Sequence, residues 1–270
     1  MKIAYSGIEG AFAYISAKHI FPNDELVSYA NFKEAYDAVV FDRCDYAVIP
    51  IDNSYSGEVT PVMDLLFYGD LFINGLYSLK VVQNLLGVKG SRISDITKVI
   101  SQPKALEQCD EYIKRHGFEM IQSDNTARAA KEVSELNDIH TAAIASIETA
   151  PLYGLSVLEE HINESDDNTT RFVVLSKKDG HVENTDEAQT CIMIFTVENI
   201  SGALVKALNI IGEYGFNMRV LHSRPIKDFV WQYYFYVEIE GRINSEKGNK
   251  MVSDLNKICS VLKVLGPVYN

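Results

Sequence analysis

The chain has 270 residues, of which 47% are hydrophobic and 23% charged, and its formal net charge at pH 7 is -12. This balance is typical of a folded protein with a sizeable core and room for two or three compact units, and it excludes wholesale disorder. The acidic charge, without any cluster of lysine and arginine, argues against a nucleic-acid partner. An anionic ligand would need a locally positive pocket.

Nothing in the sequence indicates secretion or a membrane span. No basic segment followed by a long apolar run opens the chain, and no stretch approaches the roughly 20 apolar residues of a membrane span. We therefore expect a cytoplasmic protein without a membrane partner. The cysteines form no C-x-x-C pair, so neither a zinc site nor a redox motif is predicted, and reduced, buried thiols are the simplest interpretation of Cys44, Cys109, Cys191 and Cys259.

The N-terminal segment alternates short β-rich runs with helical patterns. Strands are predicted at 2–6 and 46–50 and helices at 11–20 and 32–41, with Asn31 as the N-cap of the second helix. Strands that alternate with helices of about ten residues are typical of βαβ units. A mostly parallel sheet is therefore expected.

A second run of the same kind starts near Val81. Strands are predicted at 98–100, 118–122 and 142–145. Helices are predicted at 103–115 and 126–136. A strand at 171–176 comes late in the chain and is expected to return to the first sheet. Two α/β lobes joined by crossing strands would leave a cleft between them.

The composition changes between Lys177 and Gln189, where polar residues without apolar periodicity indicate a linker. Beyond it the pattern predicts strands at 190–197, 217–224, 230–240 and 261–268 and helices at 202–214 and 246–260. The resulting order, βαββαβ within about 80 residues, is that of the ferredoxin-like fold. It indicates a separate C-terminal domain.

Polar residues cluster where predicted strands lead into loops or helices. Asn53 and Ser54 follow an apolar strand, Ser101 precedes a helix that has Pro103 in its first turn, and Thr126 opens another helix. Helix starts of this kind favour anions. Each residue also has a plain structural explanation, such as an Asx-type turn for Asn53 and an N-terminal cap for Ser101.

The run Asn168, Thr169, Thr170, Arg171 and Phe172 leads straight into an apolar strand. It places two hydroxyls, an amide and a guanidinium at the mouth of a strand, which is where open α/β sheets bind ligands. The alternative is that the threonines are ordinary strand formers and that Arg171 is a solvated surface charge.

The motifs of common hydrolases, metalloenzymes and nucleotide-binding proteins are missing. The sequence has no G-x-S-x-G or H-E-x-x-H pattern, its six histidines fall into no ligand spacing, and residues 7–10 lack the glycine pattern and the lysine of nucleotide loops. Neither a metal nor a cofactor is expected. Metal-free chemistry on hydroxyl and amide groups remains.

Taken together, these segments resemble the prephenate dehydratase family with a C-terminal ACT regulatory domain, and the resemblance covers nearly the whole chain. The motifs that carry it lie at 7–12, 50–57, 142–145, 153–155 and above all 168–172. In the second domain, 202–204 and 223–225 look like the two phenylalanine-binding motifs of these ACT domains. Each motif is weak alone, but their order and spacing are specific.

The resemblance implies an α/β fold: a two-lobed, periplasmic-binding-protein-like catalytic domain with a central cleft, followed by a ferredoxin-like βαββαβ ACT domain. The expected boundaries are 1–178 for the catalytic domain, with lobe one at about 1–80 plus 165–178 and lobe two at about 81–164, then a linker at 179–189 and the ACT domain at 190–270. A homodimer or homotetramer is expected.

The resemblance also implies the reaction, in which prephenate loses water and carbon dioxide to give phenylpyruvate for phenylalanine biosynthesis. Aromatisation drives this reaction, so the enzyme needs only to bind two carboxylates and to help the ring hydroxyl depart. A desolvated threonine hydroxyl can donate to the leaving oxygen as it gains charge. The expected catalytic residues are Thr170, Asn53, Ser101 and Gln108.

The same resemblance gives the expected binding residues. Those for the substrate are Ser54, Thr126, Thr169, Arg171 and Phe172. Phenylalanine is the expected allosteric inhibitor, and the residues that would bind it are Gly202, Ala203, Leu204, Asn217, Ser223, Arg224 and Pro225.

Some positions depart from the family pattern. Asp52 stands where glutamate is common, Gln102 and Lys104 stand where histidine and glutamine are common, and His222 replaces a glutamate before Ser-Arg-Pro. The changes at Gln102 and Lys104 alter the charge near the substrate and leave the choice between prephenate and arogenate open. The change at His222 concerns recognition of the amino group of phenylalanine.

Three alternatives to the leading function therefore remain. They are an arogenate dehydratase, another prephenate-processing enzyme such as a non-aromatising decarboxylase, and a non-catalytic amino-acid-binding paralogue. The presence of Thr170 disfavours the decarboxylase. The joint presence of Asn53, Ser101, Gln108 and Thr170 disfavours the paralogue.

Overall fold

The computed structural model describes residues 1–165, 167–179, 189–227 and 229–269. The chain divides into two compact units, the first formed by Met1–Val59 with Tyr77–Phe172 and the second by Thr60–Leu76 with Val173–Asn270. The predicted linker at 179–189 lies, except for its two end residues, outside the described residues. The functional boundaries proposed from the sequence stay a prediction.

The first sheet contains the N-terminal strands and two strands that arrive later in the chain. Its strands are β1 (Lys2–Ser6), β2 (Glu25–Tyr29), β3 (Tyr46–Asn53), β4 (Gly57–Glu58), β5 (Phe72–Lys80) and β11 (Thr169–Ser176). Their order is β2-β1-β3-β11-β5, with β4 paired to β3, so the late strand does return to this sheet. β1 runs parallel to both of its neighbours, as the βαβ pattern predicts.

Two helices, α1 (Phe12–Ile20) and α2 (Phe32–Val40), pack against β1 and β3 of this sheet. The strand residues beneath them, including Ile3 and Ile49, are fully buried. The Asn31 side chain accepts a hydrogen bond of 2.9 Å from the backbone N–H of Glu34, which confirms the predicted N-cap.

The strands of the second sheet all belong to the first compact unit. Its strands are β6 (Asn84–Gly87), β7 (Lys98–Ser101), β8 (Glu119–Gln122), β9 (Thr141–Ala145) and β10 (Ser156–Glu159), in the order β10-β6-β9-β7-β8. Its helices are α4 (Pro103–Gln108), α5 (Asp110–His116), α6 (Thr126–Leu136) and α7 (Thr149–Tyr153). β7 is parallel to β8 and β9, whereas β6 pairs antiparallel with β9 and β10.

The single helix predicted at 103–115 is wrong, because the helix breaks at Cys109. The N–H of Cys109 bonds to the carbonyl of Leu106, a tight closure that ends α4. The break frees the carbonyl of Gln108, which accepts a 3.0 Å bond from the N–H of Glu164. Apolar periodicity continues across such a break, so the pattern alone does not reveal it.

The second unit is built on an antiparallel sheet of β12 (Gln189–Thr196), β13 (Asn217–Pro225), β14 (Tyr233–Glu240) and β15 (Val261–Tyr269), in the order β13-β14-β12-β15. With α8 (Ala203–Glu213) and α9 (Glu246–Asn256) the chain order is βαββαβ, which confirms the predicted ferredoxin-like topology. The strand predicted to start at Val230 starts three residues later, because residues up to Gln232 form a turn in which Trp231 has a φ of 61°.

One further helix, α3 (Thr60–Tyr68), belongs to this second unit although it precedes the C-terminal sheet by more than 100 residues. No helix within the described ranges is long and apolar enough to cross a bilayer. The four cysteines are free thiols, and burial raises the pKa of Cys109 and Cys191 to about 12. These two thiols are therefore protonated at neutral pH.

Two helical glycines of the second unit should respond to alanine in opposite directions. A Cβ on Gly248 would lie 2.2 Å from the Ile243 carbonyl oxygen, whereas one on Gly212 would meet open space. We expect Gly248→Ala to destabilise the protein by about 1–3 kcal/mol. Gly212→Ala should stabilise it by about 0.5–1 kcal/mol, because alanine is the better helix former.

Thermal unfolding followed by circular dichroism measures both effects, with each variant serving as the control for the other. A lowered midpoint for Gly212→Ala, or an unchanged one for Gly248→Ala, would contradict the packing around these two glycines.

Candidate active site

The site begins with an Asx turn at the carboxyl end of β3. Oδ1 of Asn53 accepts hydrogen bonds of 3.0 Å from the backbone N–H groups of both Tyr55 and Ser56. The structural interpretation of Asn53 is therefore correct. It does not exclude a functional role, because a turn of this kind uses only the oxygen of the amide and leaves its nitrogen pointing elsewhere.

The amide nitrogen of Asn53 reaches the start of β11. It donates to Oδ1 of Asn168 at 2.7 Å and to Oγ1 of Thr170 at 2.9 Å, with a longer contact of 3.2 Å to the carbonyl of Thr169. The structure thus brings together Asn53 and Thr170, two of the predicted catalytic residues. They are 117 positions apart in the sequence.

Thr170 is partly exposed at the mouth of β11. Because its oxygen accepts a hydrogen from Asn53, its own proton must point away from Asn53. Within the described ranges no protein acceptor takes that proton. A hydroxyl that receives one hydrogen bond becomes a stronger donor in the next. The arrangement therefore suits donation to a bound ligand.

Asn168 extends this network to the second sheet. Its Nδ2 donates to Oε1 of Gln108 at 3.1 Å, and its backbone carbonyl accepts a 2.7 Å bond from the N–H of Val81. Asn168 is only 5% exposed. It was not among the predicted site residues, although it opens the 168–172 motif. A buried asparagine must satisfy both ends of its amide, and this requirement was the signal that could have found it.

Ser54 is hydrogen-bonded to Thr169, the first residue of β11. The Ser54 hydroxyl donates to the carbonyl of Asp167 at 2.6 Å and accepts from the N–H of Thr169 at 3.0 Å. The N–H of Ser54 donates in turn to the carbonyl of Thr169 at 2.8 Å. These bonds tie the Asn53 loop to the segment that carries Thr170. The Ser54 hydroxyl is thereby occupied by the backbone.

Arg171 is paired with Asp52 on the neighbouring strand. Its Nε donates to Oδ1 of Asp52 at 2.8 Å, and a second contact joins its terminal nitrogen to Oδ2. The side chains are 24% and 16% exposed. The positive charge of Arg171 is therefore largely compensated, which excludes the interpretation of an ordinary solvated charge.

The other predicted site residues are buried. Ser101 is 0%, Thr126 3% and Phe172 1% exposed. The interpretation of Ser101 as an N-terminal cap is wrong, because Gln102 holds that position and the Ser101 hydroxyl donates to the carbonyl of Ile144 at 2.6 Å. Ser101 is the last residue of β7, which pairs with β9, and its buried hydroxyl bonds to a carbonyl of β9.

Lys104 brings a cation close to the Asn53 loop. Its Nζ lies 4.2 Å from the centre of the Tyr55 ring and 3.1 Å from a carboxylate oxygen of Glu107. The contact with Tyr55 links α4 to the loop after β3. Lys104 therefore adds a partly neutralised positive charge beside the network.

A separate cavity of about 200 Å³ lies where β5 leads into β6. Its walls include Phe12, Lys80, Ser146, Glu160 and His161, and they include none of the predicted catalytic residues. No three His, Cys, Asp or Glu side chains come together as metal ligands in the part of the chain that the structure describes.

The predicted effector residues lie in the second unit. Gly202, with a φ of 83°, precedes α8, which begins with Ala203 and Leu204. Asn217 donates to Glu240 at 2.8 Å, and Ser223, Arg224 and Pro225 end β13.

The side chain of Arg224 contacts α3, and the sequence analysis predicts neither this helix nor the contact. Its Nη1 donates to the Thr60 hydroxyl at 3.1 Å, and its Nε lies 3.6 Å from Asp64. Asp64, 8% exposed, also accepts from Tyr234 at 2.9 Å and pairs with Lys227 at 2.7 Å.

These contacts stabilise the negative charge of Asp64. Burial alone would raise the pKa of Asp64, but the hydrogen bonds from Lys227 and Tyr234 and the charges of Lys227 and Arg224 outweigh it, so the pKa is lowered. The Phe67 ring stacks on Tyr234 with centroids 4.3 Å apart. Helix α3 is therefore fixed to the C-terminal sheet by both charge and aromatic packing.

Comparison with known proteins places the chain in a family. The model of the family described as prephenate dehydratase matches residues 3–180. Over 98% of its length the chain is 32% identical to arogenate dehydratase/prephenate dehydratase 1, chloroplastic, of Arabidopsis thaliana, of which the match covers 71%.

Two solved structures resemble the whole chain. One, described as GqqA, a novel type of quorum quenching acylase, has a TM-score of 0.92 at 27% identity, and the match covers 100% of this chain and 98% of that one. The other, prephenate dehydratase from Arthrobacter aurescens in complex with L-Phe, has a TM-score of 0.91 at 24% identity, with 100% and 90% covered. The second likeness concerns the fold alone.

The family match spans the strands of both α/β sheets and the whole network of Asn53, Gln108, Asn168 and Thr170. It confirms the predicted enzyme class, a lyase of phenylalanine biosynthesis. The chain belongs to the prephenate dehydratase family.

Proposed function

We propose that the protein converts prephenate to phenylpyruvate and that Thr170 donates the hydrogen bond that helps the ring hydroxyl to leave. The observation that carries this proposal is the 2.9 Å bond from Nδ2 of Asn53 to Oγ1 of Thr170. It directs the Thr170 proton outward and makes it a better donor.

The reaction needs little more than such a donor. The bond between the ring and its carboxylate breaks to release carbon dioxide, and its electron pair enters the ring and expels the hydroxyl on the opposite carbon. The departing oxygen takes up one proton, supplied in the end by solvent, and leaves as water. Negative charge grows on that oxygen in the transition state, so a fixed and partly desolvated donor stabilises the transition state more than the ground state.

Roles for the remaining predicted residues follow from their positions. Gln108 joins the network through Asn168 and is assigned to the site with Asn53 and Thr170. The buried Ser101 is assigned to holding β7 against β9 beside the substrate. Direct substrate contacts are assigned to Thr126, Thr169 and Arg171, and support of those contacts to Ser54 and Phe172.

Two other activities are suggested by the related proteins. Arogenate, in which an amino group replaces the keto oxygen of prephenate, is the second candidate substrate because the Arabidopsis relative is described as acting on both. An acylase would instead need a nucleophile that gives its proton to a base. Oγ1 of Thr170 accepts a hydrogen bond from Asn53 rather than giving one to a base, which favours hydrogen-bond donation over nucleophilic attack.

We assign residues 190–270 to an ACT domain that binds phenylalanine, in a cytoplasmic homodimer or homotetramer. The βαββαβ topology supports the domain, and the L-Phe in the Arthrobacter structure supports the ligand. The apolar side chains of Phe229, Val230 and Trp231 are 58%, 82% and 71% exposed, which is what a subunit interface would cover.

Substitutions at Thr170 test the catalytic assignment. Thr170→Val keeps the shape of the side chain but removes the hydroxyl, so we expect kcat to fall by about 100-fold or more, with the circular dichroism spectrum unchanged. Thr170→Ser keeps the hydroxyl and should stay within about tenfold of the parent. The measurement is phenylpyruvate formation from prephenate, corrected for the spontaneous rate, with arogenate assayed in parallel.

These assays also distinguish an error in the proposed function from an error in the role of Thr170. A parent protein that forms no product above the spontaneous rate from either substrate would overturn the proposed function. An active parent with an equally active Thr170→Val variant would remove Thr170 from the mechanism.

Asp64 should connect phenylalanine binding to catalysis. Helix α3 starts seven residues after Asn53 in the chain, and Asp64 holds it to Arg224 of the second effector motif. Asp64→Asn keeps the size but removes the charge. We expect the phenylalanine concentration for half-inhibition to rise at least tenfold, while the Kd from calorimetry changes less than threefold.

Asp70→Asn is the matched control, because that carboxylate is fully exposed in the same segment. Tyr234→Phe removes one hydrogen bond to Asp64 and keeps the ring stack, so it should show a smaller effect of the same kind. Unchanged inhibition of Asp64→Asn would contradict the connection.

A further inference from the structure

The Asn53 turn fixes which end of each amide in the network is the donor. Backbone N–H groups can only donate, and two of them, from Tyr55 and Ser56, point at the same atom of the Asn53 side chain. That atom must be the oxygen. The Asn53 nitrogen then faces Asn168 and Thr170, and this orientation cannot be reversed without losing both backbone bonds.

The orientation passes from one amide to the next. Because the nitrogen of Asn53 faces Asn168, the atom of Asn168 that meets it at 2.7 Å must be its oxygen. The other end of the Asn168 amide is then its nitrogen, which donates to Gln108 at 3.1 Å. Gln108 must therefore present its oxygen to Asn168.

The nitrogen of Gln108 is left facing away from the network. It carries two hydrogens, and in the described part of the chain no acceptor within hydrogen-bonding distance takes them. The Gln108 side chain is partly exposed. Its free end is thus a donor, like the Thr170 hydroxyl at the other end of the network.

The two outward donors, the Gln108 nitrogen and the Thr170 hydroxyl, match the chemistry of prephenate. The positioning role proposed for Asn168 rests on the proposed function. Both carboxylates of prephenate and its departing hydroxyl oxygen are hydrogen-bond acceptors. A Gln108 with its amide reversed would turn its oxygen toward those lone pairs and repel them.

We propose that Asn168 is a positioning residue that fixes the orientation of Gln108, so that the Gln108 amide nitrogen donates to an acceptor oxygen of the substrate. Asn168 itself contacts no reacting atom. It transmits the orientation set by the Asn53 turn in the first sheet to a side chain on α4, beside the second sheet.

Gln108→Glu tests the donor role. At pH 8 the carboxylate has no hydrogen to donate and adds a negative charge, so we expect kcat/KM for prephenate to fall at least 100-fold. Lowering the pH toward 5.5 protonates part of the glutamate, which can then donate. The ratio of variant to parent activity, corrected for the spontaneous rate at each pH, should recover about fivefold or more.

Asn168→Asp tests the positioning role by the same measurement. An ionised aspartate still accepts from Asn53 but can no longer donate to Gln108, which must then turn its nitrogen toward the aspartate and its oxygen toward the substrate. We expect a similar loss at pH 8 and a similar recovery at lower pH, where a protonated aspartate can donate again. A merely structural role would abolish the folded circular dichroism spectrum of the variant at pH 8, whereas the positioning role leaves that spectrum unchanged.

Asn163→Asp is the matched control. Asn163 lies in the same connecting segment and bonds the N–H of Gln83 and the carbonyl of Ser165, outside the network. It should reproduce the parent pH profile. If the parent is active and either network variant follows that profile as well, the positioning role is overturned, whereas an inactive parent overturns the proposed function instead.

Discussion

The orientation of one side-chain amide, that of Asn53, determines the rest of the site. Two backbone N–H groups hold its oxygen in the turn after β3, so its nitrogen is available to order the start of β11 and, through Asn168, a helix beside the second sheet. No charged group takes part in this chain of bonds. Neutral donors at the departing hydroxyl suit a reaction that aromatisation drives and that needs only help for a leaving oxygen.

Local sequence rules were sufficient wherever a single segment decides the structure. The alternation of strands and helices predicted both α/β sheets, the Asn31 cap was found from its position before a helix, and the βαββαβ order was read directly from the C-terminal pattern. The grouping of Asn53 with Thr170 came from a family resemblance and not from spacing, because a separation of 117 residues carries no local signal.

Errors arose where a distant partner decides the outcome. Ser101 has the sequence position of a cap, yet burial directs its hydroxyl to the Ile144 carbonyl on a neighbouring strand. The helix break at Cys109 leaves the Gln108 carbonyl free to accept a hydrogen bond from the N–H of Glu164. Arg224 contacts Asp64 on a helix far away in the sequence. Burial and long-range polar partners are properties of the assembled fold, so composition and periodicity do not report them.

The place of β11 in the first sheet has a consequence for biosynthesis. This strand lies between β3 and β5, both of which leave the ribosome much earlier, so until residues 169–176 are made these two strands lack a neighbour and expose open edges. The second sheet, whose strands all lie between Asn84 and Glu159, can close first. A nascent chain that stalls before β11 would therefore carry one finished lobe and one aggregation-prone, open sheet.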